Sequence, residues 1–188
     1  MIKIGITGSV ASGKSSAAKF LSKNKYPIFS ADKIVKNLYK RKIFLKKIKS
    51  KFNLTNKRNI KKSIRNFILK DKKKLRKLEK IIHPLVRLEM KKIMRKKKRN
   101  KILIFEIPLL IESKLMKYFD VVLFINAKKS LRIRRFIKRG GKREFFLILD
   151  SRQIQPRKKI KLSDFTIKNN KSLKQLKKNV NNILKKYE

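Results

Sequence analysis

The chain reads Gly8-Ser9-Val10-Ala11-Ser12-Gly13-Lys14-Ser15, directly after the apolar residues 2–6 and at the start of a run of good helix formers, residues 14–21. Two glycines at this spacing, followed by lysine and serine, form a phosphate-binding P-loop when they join a strand to a helix. A glycine-rich turn without a ligand is the alternative interpretation. The order of strand, loop and helix favours a site for a nucleoside triphosphate.

The chemistry of a P-loop depends on its backbone and on two side chains. Gly8 and Gly13 permit dihedral angles that turn successive N–H groups inward, toward phosphate oxygens. Lys14 adds a cation for the β- and γ-phosphates, and the Ser15 hydroxyl is placed to ligate Mg²⁺. The helix that begins here directs its positive end toward the same anion. We therefore predict a nucleotide site that contains Gly8, Ala11, Ser12, Gly13, Lys14, Ser15 and Ser16.

The charge of the chain is strongly positive, because 58 Lys and Arg residues oppose 11 Asp and Glu residues and give a formal net charge of +47. Such a balance ordinarily suggests a nucleic-acid partner. Here the basic residues are mostly lysine, lie in nearly every segment after residue 20, and form no stripe interleaved with aromatic residues. Lysine distributed in this way is typical of solvated faces. It predicts attraction of polyanions in general and no specific nucleic-acid partner.

Features that the sequence lacks exclude several classes of protein. The chain has no cysteine, which excludes disulfides, thiolate metal sites and a cysteine nucleophile. It has no run of about 18 apolar residues that could span a membrane. The N-terminal residues enter a predicted strand at once instead of forming a cleavable leader. We expect a cytoplasmic protein that does not bind a membrane.

Apolar runs of strand length alternate with helical patterns along the chain. The segments between these runs are long enough for crossover helices, which predicts an α/β fold with a five-stranded parallel sheet covered on both faces. From about residue 33 to 99 only helical spacing appears, which predicts a helical insertion within a single domain of residues 1–188. The arginine-rich segment, residues 128–159, contains the flexible pair Gly140-Gly141, and about residues 137–158 within it are predicted to form a lid over phosphates. The candidate strands are residues 2–7, 27–29, 101–105, 121–126 and 165–168.

Several separated motifs together resemble the dephospho-coenzyme A kinase family. Besides the P-loop region, they include Ser30-Ala31-Asp32, Ile82-His83-Pro84-Leu85-Val86, Pro108-Leu109-Leu110-Ile111-Glu112, Arg135 with Arg139, Gln153, Ser163-Asp164 and Ile167-Lys168-Asn169. They run in family order from residue 2 to about residue 170. The resemblance implies a P-loop kinase similar in architecture to nucleoside-monophosphate kinases, with a helical acceptor-binding insertion and a lid. It implies phosphorylation of the ribose 3′-hydroxyl of dephospho-CoA by ATP, the final step of coenzyme A synthesis.

The attacking hydroxyl of such a reaction needs a base or an orienting acceptor. We expect a carboxylate at the C-terminal end of the strand beside the P-loop strand, and Asp32 is the candidate that the resemblance supports. The alternative is that Asp32 or Ser30 caps the following helix, predicted over residues 34–39. The family usually has Asp-Ala-Asp here, so Ser30 replaces the first carboxylate and Asp32 corresponds to the second.

The acceptor contacts are implied by the resemblance. His83, Pro84, Arg87, Leu110 and Glu112 are expected to bind dephospho-CoA, with Glu112 orienting it, and Glu106 is expected to hold a Mg²⁺-bound water. His83 is the only histidine, so it cannot build a zinc site, and a structural hydrogen-bonding role is its alternative. Local charge balance is the alternative for Glu106 and Glu112, because the chain is so basic.

The lid and nucleotide contacts are also carried over from the resemblance. Arg135 and Arg139 would stabilise the transferring phosphoryl group, and Asn169 resembles a family position beside the adenine of ATP. The sequence departs from the family pattern at Ala11, where glycine is usual, at Ser16, where threonine is usual, and at Gly140, where an acidic residue is common.

The sequence therefore predicts an ATP:dephospho-CoA phosphotransferase that requires Mg²⁺, with Lys14, Asp32, Arg135 and Arg139 as catalytic residues and a monomeric state. Two other functions stay open. One is a small P-loop kinase that acts on a nucleoside monophosphate. The other, suggested by the net charge, is a nucleotide-regulated nucleic-acid-binding protein.

Overall fold

The computed structural model describes residues 1–54, 60–71, 73–97 and 99–188 of the chain. Strands and helices alternate at both ends of the chain, and a continuous series of helices lies between the second and third strands. The strands are β1 (Ile2–Gly8), β2 (Ile28–Ser30), β3 (Ile102–Glu106), β4 (Val121–Asn126) and β5 (Phe165–Lys168). The helices are α1 (Lys14–Ser22), α2 (Ala31–Leu38), α3 (Lys42–Lys51), α4 (Ile60–Lys70), α5 (Lys73–Lys96), α6 (Lys129–Lys138), α7 (Arg143–Ser151), α8 (Pro156–Lys161) and α9 (Leu173–Leu184).

The five strands form one sheet in the order β2-β3-β1-β4-β5, and every pair is parallel. The predicted α/β fold with a five-stranded parallel sheet is confirmed. Three strands differ from the prediction by one residue at one or both ends, because β1 continues to Gly8 and both β2 and β3 begin and end one residue later. In a parallel sheet the carboxyl ends of all strands meet at one edge. Gly8, Ser30, Glu106 and Asn126 therefore end their strands at the same edge.

The core on one face of the sheet consists of β-branched strand residues and two helices. Ile4 and Ile6 of β1 are fully buried, as are Ala17 and Leu21 of α1, and Val180 of α9 belongs to the same cluster. The helix residues face the sheet because α1 and α9 carry apolar side chains at helical spacing. A second group is aromatic, with ring centroids of Phe29 and Phe105 5.5 Å apart and those of Phe105 and Phe119 5.3 Å apart.

The chain divides into two compact units. One contains Met1–Ser30 and Ile93–Glu188, and therefore the sheet, and the other is Ala31–Lys92. Within the second unit the described residues form helices and no strand, as the spacing predicts. Its buried residues include Ile48, Ile64, Ile68 and Leu75, which recur at helical intervals. No helix in the described part of the chain is long and apolar enough to cross a bilayer.

Candidate active site

The P-loop joins β1 to α1 in a conformation that requires left-handed backbone angles. Ser12 N–H donates to the carbonyl of Ser9 at 3.1 Å, and φ is +56° at Ala11 and +100° at Gly13. A Cβ atom on Gly13 would lie 2.2 Å from Asn169 Nδ2, so glycine is needed there for its angle and for space. Gly8 has no positive φ, contrary to the prediction. Its role is close packing, because a Cβ there would lie 2.5 Å from the carbonyl oxygen of Ile125.

Lys14 is the first residue of α1, and its side chain folds back over the loop. Only 7% of the residue is exposed, and its Nζ donates to the carbonyl oxygens of Gly8 at 3.1 Å and Ser9 at 2.9 Å. These carbonyls hold the ammonium group beside the inward-facing loop backbone. The cation that is predicted to contact the phosphates is therefore located within the P-loop. Ser16, in the first turn of the same helix, is half-buried.

A carboxylate lies beside the P-loop at the end of β3. Glu106 is 5% exposed, and its two oxygens accept hydrogen bonds from Ser15 Oγ at 2.5 Å and Ser30 Oγ at 3.0 Å. The strand order shows that the predicted position of Asp32 is wrong, because β3, not β2, is the neighbour of β1 on this side. The carboxylate that ends the neighbouring strand is Glu106. Asp32 is instead an exposed residue within the first turn of α2, so it is not the cap residue of that helix.

The Ser15 hydroxyl and the Glu106 carboxylate are suited to Mg²⁺. This ion prefers oxygen ligands and is usually held by one or two protein groups together with substrate phosphates and water. Both groups are hard oxygen donors and already lie within hydrogen-bonding distance of each other. The described residues contain no group of three or more His, Cys, Asp or Glu side chains that could form an all-protein cage. The donor set therefore fits Mg²⁺ bound together with a nucleotide.

Asn169 connects the end of β5 to the P-loop and to α6. Its side-chain Nδ2 donates to the carbonyl oxygen of Ser12 at 2.8 Å, and its backbone carbonyl accepts a hydrogen bond from Arg135 Nη2 at 3.1 Å. Nη1 of Arg135 is buried and donates to no acceptor among the described residues. Burial, together with Arg139 and Arg134, lowers the pKa of Arg135 from its ordinary value. An anion near this guanidinium would offset both the loss of solvation and the repulsion from the neighbouring arginines.

The arginine-rich segment is held together by an ion pair and an aromatic contact. Arg132 Nη1 lies 2.5 Å from Asp150 Oδ1, and the rings of Phe136 and Phe146 are 5.6 Å apart, which joins α6 to α7. Arg139 follows α6 and is exposed. The structure thus places Arg135 beside Asn169. The side chain of Arg139 makes no hydrogen bond to another residue in the described part of the chain. Closure of this segment over phosphates stays a prediction.

Glu112 forms a buried ion pair. Its Oε1 lies 2.7 Å from Nζ of Lys159, a residue with no exposed surface, and also accepts a hydrogen bond from Ile154 N–H at 3.1 Å. The other oxygen, Oε2, is buried and accepts no hydrogen bond from the described residues. Leu110, at the same turn, is fully buried. Acceptor contacts by Glu112 and Leu110 therefore stay predictions. Glu112 also balances the charge of Lys159, a partner that the sequence did not indicate.

Glu112→Gln is expected to lower the free energy of unfolding by about 3–5 kcal/mol, the usual cost of leaving one charge of a buried pair without its partner. Glutamine keeps the volume and an oxygen for Ile154 N–H, so the loss reports on the ammonium group of Lys159. Urea unfolding followed by circular dichroism measures it.

Two variants make this stability test specific. Glu144→Gln, at an exposed residue of α7, is expected to change stability by less than about 0.5 kcal/mol. Adding Lys159→Met to Glu112→Gln removes the unpaired ammonium and is expected to recover much of the loss. A Glu112→Gln protein as stable as the Glu144→Gln control would show that the pair contributes nothing.

The other predicted acceptor residues lie on α5, within the unit Ala31–Lys92. His83 is half-buried, and Arg87 is exposed one turn further along, on the same side of the helix. Pro84 is an interior residue of α5, and because proline has no N–H, the carbonyl of Lys80 receives no intrahelical bond from it. The same unit holds Asp32, so the helical segment carries four of the predicted site residues.

A cleft of about 760 Å³ lies in this helical unit, between α3 and α5. Four lysines line it, together with Ser50 and an apolar floor of Ile81, Pro84 and Leu85. No ion pair involving these lysines is found among the described residues. Four ammonium groups around one cleft repel each other, and an anionic ligand would relieve that repulsion. The lysines are Lys47, Lys51, Lys77 and Lys80.

Comparison with known proteins relates this site to one family. A model of the family described as dephospho-CoA kinase matches residues 2–175, which include the P-loop, Glu106, Glu112 and Asn169. The chain belongs to the dephospho-CoA kinase family. A curated dephospho-CoA kinase from Fusobacterium nucleatum is 35% identical over 182 residues, covering 94% of each chain.

Solved structures agree with membership of the dephospho-CoA kinase family. TT1252 from Thermus thermophilus aligns with a TM-score of 0.77 and 27% identity, covering 100% of this chain and 98% of its own. Dephospho-CoA kinase from Campylobacter jejuni aligns with a TM-score of 0.65 and 26% identity, covering 98% and 96%. The predicted P-loop kinase fold is confirmed, and as a kinase of this family the chain is a transferase with ATP as its co-substrate.

Two contacts at this dephospho-CoA kinase site were not predicted. Gln153 appears in the family motifs, but nothing in the sequence indicates that its side chain reaches the P-loop at Val10. Lys159 is one of 58 basic residues, and its complete burial has no local sequence signal. The ion pair between Glu112 and Lys159 links the turn after β3 to α8, two segments that are far apart in the sequence.

Proposed function

We propose that this chain transfers the γ-phosphoryl group of ATP to the 3′-hydroxyl of the ribose of dephospho-CoA, which forms coenzyme A. The observation that carries the proposal is the P-loop with Lys14 and Ser15 beside Glu106, in a chain that the dephospho-CoA kinase family model matches over residues 2–175. Catalysis of this reaction consists mainly of positioning and of stabilising charge on the transferring group.

The P-loop holds the triphosphate in this proposal. Its backbone N–H groups and the N-terminus of α1 provide donors and a positive potential for phosphate oxygens. Lys14 exchanges the carbonyls of Gly8 and Ser9 for the β- and γ-phosphates. Arg135, whose Nη1 is buried without an acceptor among the described residues, and Arg139 supply further positive charge to the phosphoryl group.

Ser15 and Glu106 are the residues that would hold Mg²⁺. Ser15 Oγ would act as a direct ligand, and Glu106 would act directly or by accepting a hydrogen bond from a bound water. When bound, Mg²⁺ neutralises charge on the phosphates and orients them. Ser30 Oγ supports the site by donating to the second oxygen of Glu106, which fixes the orientation of that carboxylate.

Asp32 is the proposed base, and the helical unit Ala31–Lys92 is the proposed acceptor domain. Asp32 accepts the proton of the attacking hydroxyl, or orients that hydroxyl, and His83 with Arg87 binds the acceptor. Support for this assignment includes the lysine-lined cleft of the same unit, because dephospho-CoA carries a diphosphate group and an extended pantetheine chain. Lysine ammonium groups bind phosphate as point charges, and the apolar floor suits the aliphatic part of that chain.

An acceptor assay tests the proposed function. Purified protein with labelled ATP and Mg²⁺ is expected to transfer label to dephospho-CoA, with a kcat/KM at least about 10³-fold above that for AMP or CMP, because these lack the groups that the acceptor domain binds. A Lys14→Ala preparation measures any contaminating kinase. Equal transfer to a nucleoside monophosphate would replace this proposal with the other kinase function. A cytoplasmic location and a monomeric state stay predictions.

A further inference from the structure

The segment after α7 is attached to the P-loop by one side-chain carboxamide. Val10 N–H donates to Gln153 Oε1 at 3.0 Å, and Gln153 Nε2 approaches the carbonyl oxygen of Gly8 at 3.5 Å. Gln153 lies just beyond the end of α7 and is half-buried. One side chain therefore contacts the loop backbone at two points that are separated by a single residue.

The next residue is fixed from the opposite direction. Ile154 N–H donates to Glu112 Oε1 at 3.1 Å, and the same oxygen pairs with the buried Lys159. Gln153 and Ile154 thus form a short bridge between the P-loop and the turn that follows β3. Because Glu112 and Lys159 anchor the bridge, Gln153 presents its carboxamide to Val10 from a fixed backbone.

The P-loop of this chain has a specific need for such a contact. Ala11 has φ of +56°, a left-handed angle that side chains with a Cβ atom adopt only when neighbouring structure imposes it. Gln153 holds the Ser9–Val10 peptide, one residue before Ala11, through Val10 N–H. Asn169 holds the Ser12–Gly13 peptide, one residue after Ala11, through the carbonyl of Ser12 at 2.8 Å. Ala11 therefore lies between two side-chain hydrogen bonds that come from distant parts of the chain.

We propose that Gln153 is a positioning residue for ATP, which holds Val10 so that Ala11 keeps its left-handed angle and the following N–H groups stay directed at the phosphates. The inference rests on the proposed function only in taking ATP as the ligand of the loop. The inference assigns Gln153 to ATP binding and not to acceptor binding, because its carboxamide contacts the P-loop backbone.

Gln153→Met tests this role, because methionine has nearly the same length and volume but neither accepts the Val10 bond nor donates to Gly8. Loss of one such hydrogen bond is expected to raise the Kd for ATP, measured by calorimetry without acceptor, about five- to tenfold. KM for ATP should rise by the same factor, while KM for dephospho-CoA should stay within about twofold. Gln153→Asn is one methylene too short to reach Val10 and should give the same result without introducing an apolar side chain.

Matched variants separate positioning from a general loss of structure. Gln155→Met makes the same substitution at an exposed residue and is expected to leave the Kd for ATP unchanged. Ala11→Gly removes the strain, so Gln153→Met added to Ala11→Gly is expected to weaken ATP binding by less than about twofold. The inference would be overturned if Gln153→Met and Gln153→Asn bound ATP as tightly as the parent protein does. It would also be overturned if Gln153→Met weakened ATP binding equally with and without the Ala11→Gly substitution. Binding of ATP by the parent without transfer to dephospho-CoA would contradict the proposed function and leave this test intact.

Discussion

Lys14→Ala is expected to lower kcat/KM for dephospho-CoA phosphorylation by about 10³-fold or more, because no other group of the loop replaces a mobile charge at the β- and γ-phosphates. The Lys14 ammonium is held inside the P-loop by the carbonyls of Gly8 and Ser9, so its removal takes away the cation and leaves those two acceptors without it. Initial rates with labelled ATP at saturating acceptor measure the effect, and calorimetry measures the accompanying loss of ATP affinity.

Lys19→Ala is the matched control for Lys14→Ala. Lys19 lies on the same helix, α1, and is exposed, so its removal changes the net charge equally without changing the phosphate site. Its rate is expected to stay within about twofold of the parent rate. If both variants lost activity to the same extent, the effect would come from overall charge, and Lys14 would have no special role.

Asp32→Asn is expected to lower kcat by about 10²–10⁴, the range for loss of a general base, with little change in ATP affinity. Asparagine keeps the size of the side chain and an oxygen that can accept a hydrogen bond, but it cannot take the proton of the acceptor hydroxyl. Because Asp32 is exposed in the first turn of α2, the variant should unfold at nearly the parent temperature. Single-turnover rates measure the chemical step.

Asp71→Asn provides the same chemical change elsewhere in the helical unit. Asp71 Oδ1 accepts the N–H of Lys73 at 2.8 Å, and asparagine also has an oxygen for that bond. Its kcat is expected to equal that of the parent. Full activity in Asp32→Asn would remove Asp32 from the mechanism and leave Glu106, at the end of β3, as the carboxylate to examine next.

The elements of the sheet could be predicted from sequence because their signals are local. Each strand is a short apolar run, and residues 14–21 place small and apolar side chains on one side of a helix. The P-loop and the helical character of residues 33–99 follow from spacing in the same way. The order of strands could not be obtained like this. Strand order depends on which strands pair along their edges. The pairing of β3 with β1 places Glu106, and not Asp32, at the end of the strand beside the P-loop strand.

The contacts within the site were less predictable than its motifs. Glu112 was expected at the acceptor, but it also neutralises Lys159, and no pattern distinguishes this lysine from the others in so basic a chain. Gly8 was expected to supply an unusual angle, yet it serves close packing against Ile125, while Ala11 adopts the left-handed angle. Such facts arise from packing between distant segments, which periodicity does not report.

The intramolecular bonds of Lys14 affect how nucleotide binding will appear in a calorimeter. In the proposed function, the Lys14 ammonium group gives up its two hydrogen bonds to Gly8 and Ser9 before it binds a triphosphate, so binding exchanges one set of partners for another. The measured heat is then the difference between new charge-assisted bonds and the old ones, and it understates the strength of the final contact. Because the ammonium group is already buried within the loop, less conformational entropy would be lost when it binds a phosphate as proposed.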